Sequence, residues 1–402
     1  MPDQRLFPPG LLHQPPNVRK EYFKNFLVKH DKIKVAADEI LRLINDPADT
    51  EVIHVVGPSG VGKSTLMRYL MKKLTEATLA ELENDPGRVP VAGITAQNPE
   101  TGAYDWKEHY FNTLLALDEI LIDRKIFLPE DLTDPVEIKA QMRRHNSSRA
   151  ALRRAAQMAL KNRRLSAFFV DEAHHITKRR SGQSLIDHAD TIRMIASLSG
   201  TIHVLLGTYD LLALRNLNGQ LGRRSHTVHF GRYGANSEDV ESFTRAFLSF
   251  QAHLPIAVVP NLIRDLEFCY LRCLGCIGLL KNWFMRTLVI AIEDQRETVD
   301  LKLFRSQATP NSVCLEIAEE IRDGESRLEE KDDELAHAIL RELLGSKMSP
   351  GHATRPTTTR ENDLNGQASA TQPASTSAKG GKRGRVGCKP KRYPVGRTTN
   401  ES

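Results

Sequence analysis

The chain has 402 residues, enough for one large domain or two modest ones, and its 40% hydrophobic and 26% charged residues are the balance of an ordinary globular protein. No run of about 20 apolar residues predicts a membrane-spanning helix, and Pro8, Pro9 and Gly10 stand where a secretory signal would have its apolar core. We therefore expect a cytoplasmic protein. The net charge of +6 favours a polyanion or an acidic protein surface as partner.

Four regions differ in their sequence pattern. Residues 1–50 hold a proline-rich start and two helical patterns. Residues 51–235 alternate apolar strands with helices, which predicts an α/β fold with a mostly parallel sheet, because the crossovers between strands have the length of βαβ units. Residues 236–347 have helical patterns and no convincing strand, so we expect a small all-helical domain. Residues 348–402 are rich in Ser, Thr, Pro and Gly and predict a disordered tail.

Apolar periodicity places the individual elements. In chain order, strands are expected at 51–56, 89–94, 165–170, 202–206 and 227–230. Helices are expected between the strands at 63–74, 106–122, 135–161 and 185–198, and after them at 238–248, 259–274, 276–292, 313–321 and 328–344.

The strongest motif follows the first strand. Residues 57–64 read Gly-Pro-Ser-Gly-Val-Gly-Lys-Ser, a glycine-rich phosphate loop between a strand and a helix. Its backbone N–H groups would face a nucleotide phosphate, Lys63 would reach the β- and γ-phosphates, and the Ser64 hydroxyl would ligate magnesium. We therefore predict that ATP and Mg²⁺ are cofactors. The residues expected to bind the nucleotide are Gly57, Pro58, Ser59, Gly60, Val61, Gly62, Lys63, Ser64 and Thr65.

The third strand leads into a second motif, Asp171-Glu172. In this Walker B pattern Asp171 would hold magnesium and Glu172 would polarise the attacking water. His174 and His175 follow, and they either couple the nucleotide state to a neighbour or cap the strand end. The same residues spell the Asp-Glu-Ala-His box of one helicase class. The remaining residues, which are helical in pattern, cannot supply the second nucleotide-binding domain that a helicase core requires.

Three polar residues near the ends of later strands are further candidates for catalysis. Thr208 follows the fourth strand, where a polar side chain can sense the γ-phosphate or orient water; alternatively it only begins a turn. Arg223 and Arg224 precede the fifth strand. Either could be an arginine finger that reaches the nucleotide of the next subunit, or both are solvated turn residues.

Gly275 and Gly278 begin a helix of the helical domain, where glycine allows close approach to a nucleotide or to the sheet domain. Lys281 lies where a sensor-2 basic residue would be expected, although arginine is more usual there. Cys273 and Cys276 have the Cys-x-x-Cys spacing without a second pair, so we expect buried thiols in preference to a metal site.

The order of these parts resembles an AAA+ ATPase, with a sheet domain followed by a helical lid. More narrowly, the chain resembles the transposition ATPases of the TnsC/TniB type over about residues 18–295, and MuB more distantly. The narrower likeness is carried by residues 21–31 before the first strand, by Asp-Glu-Ala-His-His-Ile at 171–176, by Gly-Thr at 207–208 and by Leu-Gly-Cys-Ile-Gly-Leu-Leu at 274–280.

The resemblance implies a prokaryotic protein that forms ATP-dependent rings or filaments on double-stranded DNA and is nucleoid-associated when active. Such proteins recruit a DDE-type transposase to a target named by a selector, which can be a CRISPR-associated complex, and disassemble on hydrolysis. The DNA contacts we name are Lys107, Lys178, Arg179 and Arg180, each of which could also be a solvated loop charge. Two alternatives stay open: an AAA+ signalling switch that acts on protein partners, and an initiator-like replication ATPase.

The predicted tail is strongly basic. Residues 379–397 carry eight cations and no acid. Such a segment either adds nonspecific DNA affinity or docks on the transposase, with Tyr393 as the anchor.

Overall fold

The computed structural model describes residues 5–99, 102–120, 122, 149–178, 184–215, 217 and 222–328. These residues belong to one compact unit, Met1–Asp333, and the second unit, Glu334–Ser402, lies outside them. The predicted helix at 328–344, the tail and its basic segment therefore fall almost entirely outside the described residues. No helix in these described ranges is both long and apolar enough to cross a membrane.

The described strands form one parallel sheet in the order β2-β3-β4-β1-β5. Every residue of β1 and β3 is buried, and so is every residue of β4, because helices cover both faces of the sheet. The strands begin and end within two residues of their predicted bounds. They are β1 Val52–Val56, β2 Val91–Thr95, β3 Ala167–Asp171, β4 Ile202–Gly207 and β5 Ser225–His229.

Helices precede, connect and follow the strands. Those before and between the strands are α1 Pro16–Asn25, α2 Asp31–Asn45, α3 Lys63–Ala77, α4 Leu79–Leu82, α5 Trp106–Ala116, α6 Arg149–Asn162 and α7 Leu185–Ser199. Those after the sheet are α8 Ser237–Ala252, α9 Leu266–Cys273, α10 Ile277–Glu293, α11 Leu301–Ser306 and α12 Asn311–Leu328. Short 3₁₀ helices at Ala173–Thr177 and Tyr209–Leu214 follow β3 and β4 directly.

Each face of the sheet has its own apolar cluster. Phe168 and Val170 point to one face, where α5, α6 and α7 pack, and Ala167 and Phe169 point to the other, where α2 and α3 pack. This alternation is what a strand dictates, because successive side chains leave a strand in opposite directions. Helices therefore cover both faces of the sheet, and the candidate polar side chains lie at the ends of the strands.

A third apolar cluster is built mainly from helices, with no strand residue in it. It contains the large side chains of α8 and α10, such as Phe247, Trp283 and Phe284, together with Phe23 of α1. Helix α1 precedes the sheet in sequence, yet its buried side chain belongs to this helical cluster. The chain therefore passes from the helical cluster into α2 and β1, and this segment, residues 26–30, lies beside the phosphate loop. The division of the chain at residue 235 stays a prediction.

Candidate nucleotide-binding site

The phosphate loop joins β1 to α3, and its glycines are required by geometry. Gly60 and Gly62 have φ angles of 77° and 115°, a left-handed conformation that side chains with a Cβ rarely adopt. Gly57 has another reason: a Cβ there would lie 2.1 Å from the carbonyl oxygen of Phe230. The loop is thus wedged against the chain just after β5, and its N–H groups lead into the first turn of α3.

Lys63 is buried at the start of α3. Its Nζ donates to the carbonyl oxygens of Gly57 and Pro58 at 2.8 and 2.9 Å. Burial lowers the pKa of Lys63, and the nearby carboxylates of Glu172, Glu320 and Asp171 oppose that effect. The ammonium group is therefore held inside the loop by neutral acceptors, close to several acids.

The acids of the Walker B pattern lie at the end of β3. Asp171 is 8% exposed and its Oδ1 accepts a hydrogen bond from the Glu172 N–H at 3.0 Å. Glu172 has a φ of 51°, unusual for a residue with a Cβ, and this conformation turns the chain into the 3₁₀ helix that follows. Burial raises the pKa of Glu172, and the charge of Asp171 adds to the rise.

His174 lies beside the second of these acids. Its Nδ1 is 3.3 Å from Glu172 Oε2, and burial lowers the pKa of His174 to about 4. The imidazole is therefore neutral near pH 7. The backbone of His174 also packs on β4, since a Cβ at Gly207 would lie 2.9 Å from the His174 nitrogen.

The sheet brings the phosphate loop, the Asp171-Glu172 pair and Thr208 to one edge. β4 lies between β1 and β3, so Thr208, which follows β4, stands between the ends of the two strands that carry Gly57 and Asp171. The Gly57 N–H donates to the Gly207 carbonyl at 3.3 Å, which fixes the loop against β4. Thr208 is half-buried with an extended backbone. This is the carboxyl edge of a parallel sheet, where ligands bind in open α/β folds.

Arg223 and Arg224 lie at the opposite edge. They precede β5, whose first residue pairs with Val52 at the start of β1. A strand of this length spans about 15 Å, so neither arginine can reach the phosphate loop of its own chain. Arg224 Nη1 donates to Glu51 Oε1 at 2.6 Å, whereas the Arg223 side chain is exposed and makes no ion pair or hydrogen bond to another described residue.

The paired glycines bring the helical cluster onto the loop. A Cβ at Gly278 would lie 2.4 Å from the Gly60 carbonyl oxygen, and the Leu279 N–H donates to that same oxygen at 3.0 Å. Gly275 has a φ of 72°, and a Cβ there would lie 2.1 Å from the Tyr233 carbonyl oxygen. Gly278 therefore contacts the phosphate loop, and its predicted approach to a nucleotide stays a prediction.

Lys281 lies one turn further along α10. Its Nζ donates to the carbonyl oxygen of Lys24 at 2.8 Å, and burial lowers its pKa to about 8. In this conformation the ammonium group ties α10 to the end of α1. The sensor-2 role predicted for Lys281 requires it to leave this carbonyl.

A small apolar pocket beside the loop extends the predicted site. It has a free volume of about 30 Å³, room for no more than a few water molecules. Of its lining residues, Gly62, Thr65, Gly278 and Lys281 were predicted for the nucleotide site, whereas the apolar residues between α1 and α2 were not. The pocket is lined by Phe26, Leu27, Val28, His30, Ile33, Val61, Gly62, Thr65, Phe250, Ile277, Gly278 and Lys281.

Helix α12 also contacts the loop, and this too was missed. The helix was expected at 313–321 as part of the helical domain, without a role in the site. Its Glu320 accepts a hydrogen bond from the Ser59 N–H through Oε1 at 3.1 Å. No local sequence motif predicts this contact, because the two residues are 261 positions apart.

The residues predicted to hold magnesium fit that ion. Mg²⁺ is usually held by one or two protein oxygens together with substrate phosphates and water. Asp171 offers a buried carboxylate at the strand end, and Ser64 is an exposed hydroxyl in the first turn of α3. In the part of the chain that the structure describes, no group of three or more His, Cys, Asp or Glu residues could hold a metal ion by itself.

The predicted DNA contacts lie on neighbouring segments. Lys107 is exposed in the first turn of α5, and Lys178 is exposed after the 3₁₀ helix that follows β3, with its Nζ on Asn98 Oδ1 at 2.6 Å. The Tyr104 N–H donates to the Lys178 carbonyl at 3.1 Å, which joins the two segments. The other two predicted contacts, Arg179 and Arg180, lie outside the described residues.

A comparison with known proteins adds the class of fold. A model of the AAA domain matches residues 48–214, which include the phosphate loop, the acids after β3 and Thr208. The predicted α/β class is confirmed: a parallel five-stranded sheet flanked by helices, the fold of AAA+ ATPases. No curated protein sequence matches the chain.

Several solved structures are similar to the chain. The ADP form of the ORC2 protein of Aeropyrum pernix matches at 13% identity and a TM-score of 0.45, over 72% of this chain and 71% of that one. A Walker-type ATPase of Pyrococcus abyssi matches at 16% and 0.43, over 80% and 81%. Drosophila ORC bound to DNA matches at 13% and 0.35, over 79% and 72%. At such low scores and identities, these similarities indicate no ligand or partner of this chain.

Proposed function

We propose that the chain is an ATPase that binds ATP with Mg²⁺ in this site, oligomerises on duplex DNA with ATP, and links a target-site selector to a DDE-type transposase until hydrolysis disassembles it. One observation carries the nucleotide part: the phosphate loop, the Asp171-Glu172 pair and Thr208 lie together at one edge of the sheet. Transfer of a phosphoryl group to water needs these groups, because its catalysis consists mainly of positioning and charge stabilisation.

Nucleotide binding would begin with an exchange of partners at Lys63. The Nζ leaves the two loop carbonyls for charged phosphate oxygens, which are the stronger acceptors. The loop N–H groups and the N-terminus of α3 take the β-phosphate. Adenine would enter the apolar pocket between Phe26 and Ile277, and because that pocket now has only about 30 Å³ of free volume, the segment 26–30 or α10 has to move to admit it.

Hydrolysis would follow from the arrangement at β3 and β4. Asp171 and Ser64 hold Mg²⁺, which when bound neutralises charge on the β- and γ-phosphates. Glu172 polarises the attacking water and takes its proton, a role to which a carboxylate of raised pKa is suited. Thr208, between the two strands, orients that water or senses the γ-phosphate.

An arginine from a neighbouring subunit would complete the site. Arg223 and Arg224 lie at the edge of the sheet away from their own loop, which is where a residue acting on another subunit has to be. Arg223 is the better candidate, because Arg224 is already paired with Glu51. We therefore assign the finger to Arg223, which stabilises charge on the γ-phosphate of the adjacent subunit.

The DNA and transposition part rests on the resemblance to the TnsC/TniB regulators. It is supported by the net charge of +6 and by the exposed Lys107 and Lys178 on adjoining segments. An oligomer around duplex DNA would contact mainly phosphates, which a set of lysines recognises without regard to sequence. If DNA binding fails while ATP hydrolysis holds, the alternative of an AAA+ switch acting on protein partners is favoured.

Two variants test the nucleotide part. Lys63→Ala should abolish ATP binding, because it removes the charge opposite the β- and γ-phosphates. Glu172→Gln should bind ATP as the wild type does but lower kcat by about 100-fold or more, because only water activation is lost. Equilibrium binding of a fluorescent ATP and steady-state phosphate release measure both effects. Wild-type turnover by Glu172→Gln would show that another group is the catalytic acid–base.

A further inference from the structure

Helix α12 lies across the edge of the sheet that carries the proposed nucleotide site. Gly324 allows it to rest on Tyr209, since a Cβ there would overlap the tyrosine ring. Arg327 donates to the Tyr209 carbonyl at 3.3 Å. One residue after that glycine, Glu325 accepts two hydrogen bonds from Arg232, both at 3.1 Å. The helix is thus fastened both to the residues after β4 and to those after β5.

These contacts bring a carboxylate of α12 into the phosphate loop. Glu320 Oε1 accepts from the Ser59 N–H at 3.1 Å. Backbone N–H groups of this loop are the donors that bind an anionic phosphate. The Glu320 carboxylate therefore makes, from within the same chain, the kind of contact that a phosphate oxygen makes when a nucleotide binds.

The position of Glu320 corresponds to the γ-phosphate end of the site. The apolar pocket proposed for adenine is lined by Gly62, Thr65 and Gly278, and Glu320 is not among its lining residues. Glu320 instead acts electrostatically on Lys63 and Glu172, the groups assigned to the γ-phosphate and the attacking water. Burial lowers the pKa of Lys63, and the charges of Glu172 and Glu320 oppose this decrease. Burial raises the pKa of Glu172, and the charge of Glu320 raises it further.

We propose that Glu320 is an internal competitor of the γ-phosphate, so that α12 in this position disfavours ATP more than ADP, and ATP binding displaces the carboxylate and loosens the helix. This inference rests on the nucleotide binding proposed above. It makes α12 a reporter of nucleotide state: the helix stays fastened with ADP and is released with ATP. Two negative groups cannot share the Ser59 N–H, and their repulsion in a partly buried site is large.

Substitutions that remove the charge test the competition. In the full chain, Glu320→Gln and Glu320→Ala should tighten binding of a non-hydrolysable ATP analogue with Mg²⁺ by about 10-fold and binding of ADP by less than about 2-fold. Glutamine can still accept from the Ser59 N–H, so any difference between the two variants separates the hydrogen bond from the charge. Glu319→Gln is the matched control, because Glu319 is the exposed neighbour on the same helix and should leave both affinities unchanged.

A second variant acts on the fastening of the helix away from the loop. Glu325→Gln weakens the bond to Arg232 but leaves Glu320 intact, so it should shift the ATP-to-ADP preference in the same direction by a smaller factor. Amide hydrogen exchange along α12 should be faster with the ATP analogue than with ADP. The expected sign would be reversed if Glu320 helped to hold Mg²⁺, because Glu320→Gln would then weaken ATP binding.

The outcomes separate the two proposals. If the wild-type chain binds neither nucleotide, the proposed ATPase function fails. If it binds both and Glu320→Gln changes the two affinities equally, changes neither or weakens ATP binding, the competition is refuted while the ATPase proposal stands.

Discussion

Burial and neighbouring acids make ionisation of the Glu172 carboxyl group harder, and the charge of Lys63 opposes them only in part. Burial raises its pKa and the charge of Asp171 raises it further. His174 lies 3.3 Å away but does not offset this, since burial lowers its own pKa to about 4 and keeps the imidazole neutral near pH 7. The group proposed to take a proton from water is therefore more basic than an ordinary glutamate.

A pH profile of hydrolysis follows from these shifts. Glu172 acts as a base when ionised, so kcat/KM for ATP, which reports the pKa of the free enzyme, should fall as the pH decreases through its raised pKa. The acid limb should therefore lie above the ordinary glutamate value of 4.5. His174→Asn should leave the position of this limb unchanged, because a neutral imidazole does not titrate there. Movement of the limb in His174→Asn would assign the titration to the imidazole.

The contact between α10 and the phosphate loop leaves no room for a side chain at Gly278. A methyl group there would lie 2.4 Å from the Gly60 carbonyl oxygen, which is backbone and cannot rotate away. Gly278→Ala should therefore push α10 off the loop and weaken ATP binding by about 10-fold or more, measured by equilibrium titration. Gly10→Ala is the control, because no atom lies within 4 Å of the added methyl group. Unaltered affinity in Gly278→Ala would mean that the contact does not shape the site.

At the scale of the elements, the position of β5 determines which nucleotide site the candidate finger arginines can reach. β5 begins at the amino edge of the sheet, so Arg223 can contact the nucleotide of another subunit but not that of its own chain. Arg223→Ala should lower kcat by about 100-fold or more with little change in ATP affinity, as for loss of an arginine finger. Arg224→Ala should act less on kcat and more on stability, because it breaks the pair with Glu51.

Mixing experiments test whether the arginine acts in trans. Arg223→Ala keeps an intact phosphate loop, and Lys63→Ala keeps an intact arginine, so hybrid interfaces between them contain complete sites. The mixture should recover part of the activity that each variant lacks alone, as measured by phosphate release at increasing ratios. Full wild-type activity of a monomer across a dilution series would contradict this assignment.

The sequence predicted elements whose pattern is local. The phosphate loop, the acids after β3 and the five strands each show in a short window, as a turn, a charge after an apolar run, or a buried strand. The features missed bring together residues that are far apart in sequence: Ser59 donates to Glu320 of α12, and Phe26 and Ile277 both line the apolar pocket. Periodicity predicts that α12 is a helix. It does not predict which surface that helix meets, because this depends on the packing of the whole helical cluster.

On the scale of the whole molecule, segments from both ends of the described chain converge on one loop. Helix α1 belongs to the helical cluster through Phe23, and residues 26–30 then run beside the loop. Helix α10 contacts the loop at Gly278, and α12 contacts it at Ser59. A nucleotide bound in this loop, as proposed above, would therefore lie next to segments of the sheet and of the helical cluster.

The last prediction concerns DNA. Assembly on duplex DNA should require ATP, show little sequence preference and weaken steeply with salt, because each phosphate contact adds about 0.9 to the slope of log affinity against log salt. Lys107→Ala and Lys178→Ala should each lower that slope by about 1, measured by fluorescence anisotropy with a labelled duplex. Lys302→Ala, an exposed lysine on α11, is the control and should leave the slope unchanged. Binding that depends on neither nucleotide nor salt would rule out the DNA-assembly proposal and leave a switch that acts on proteins.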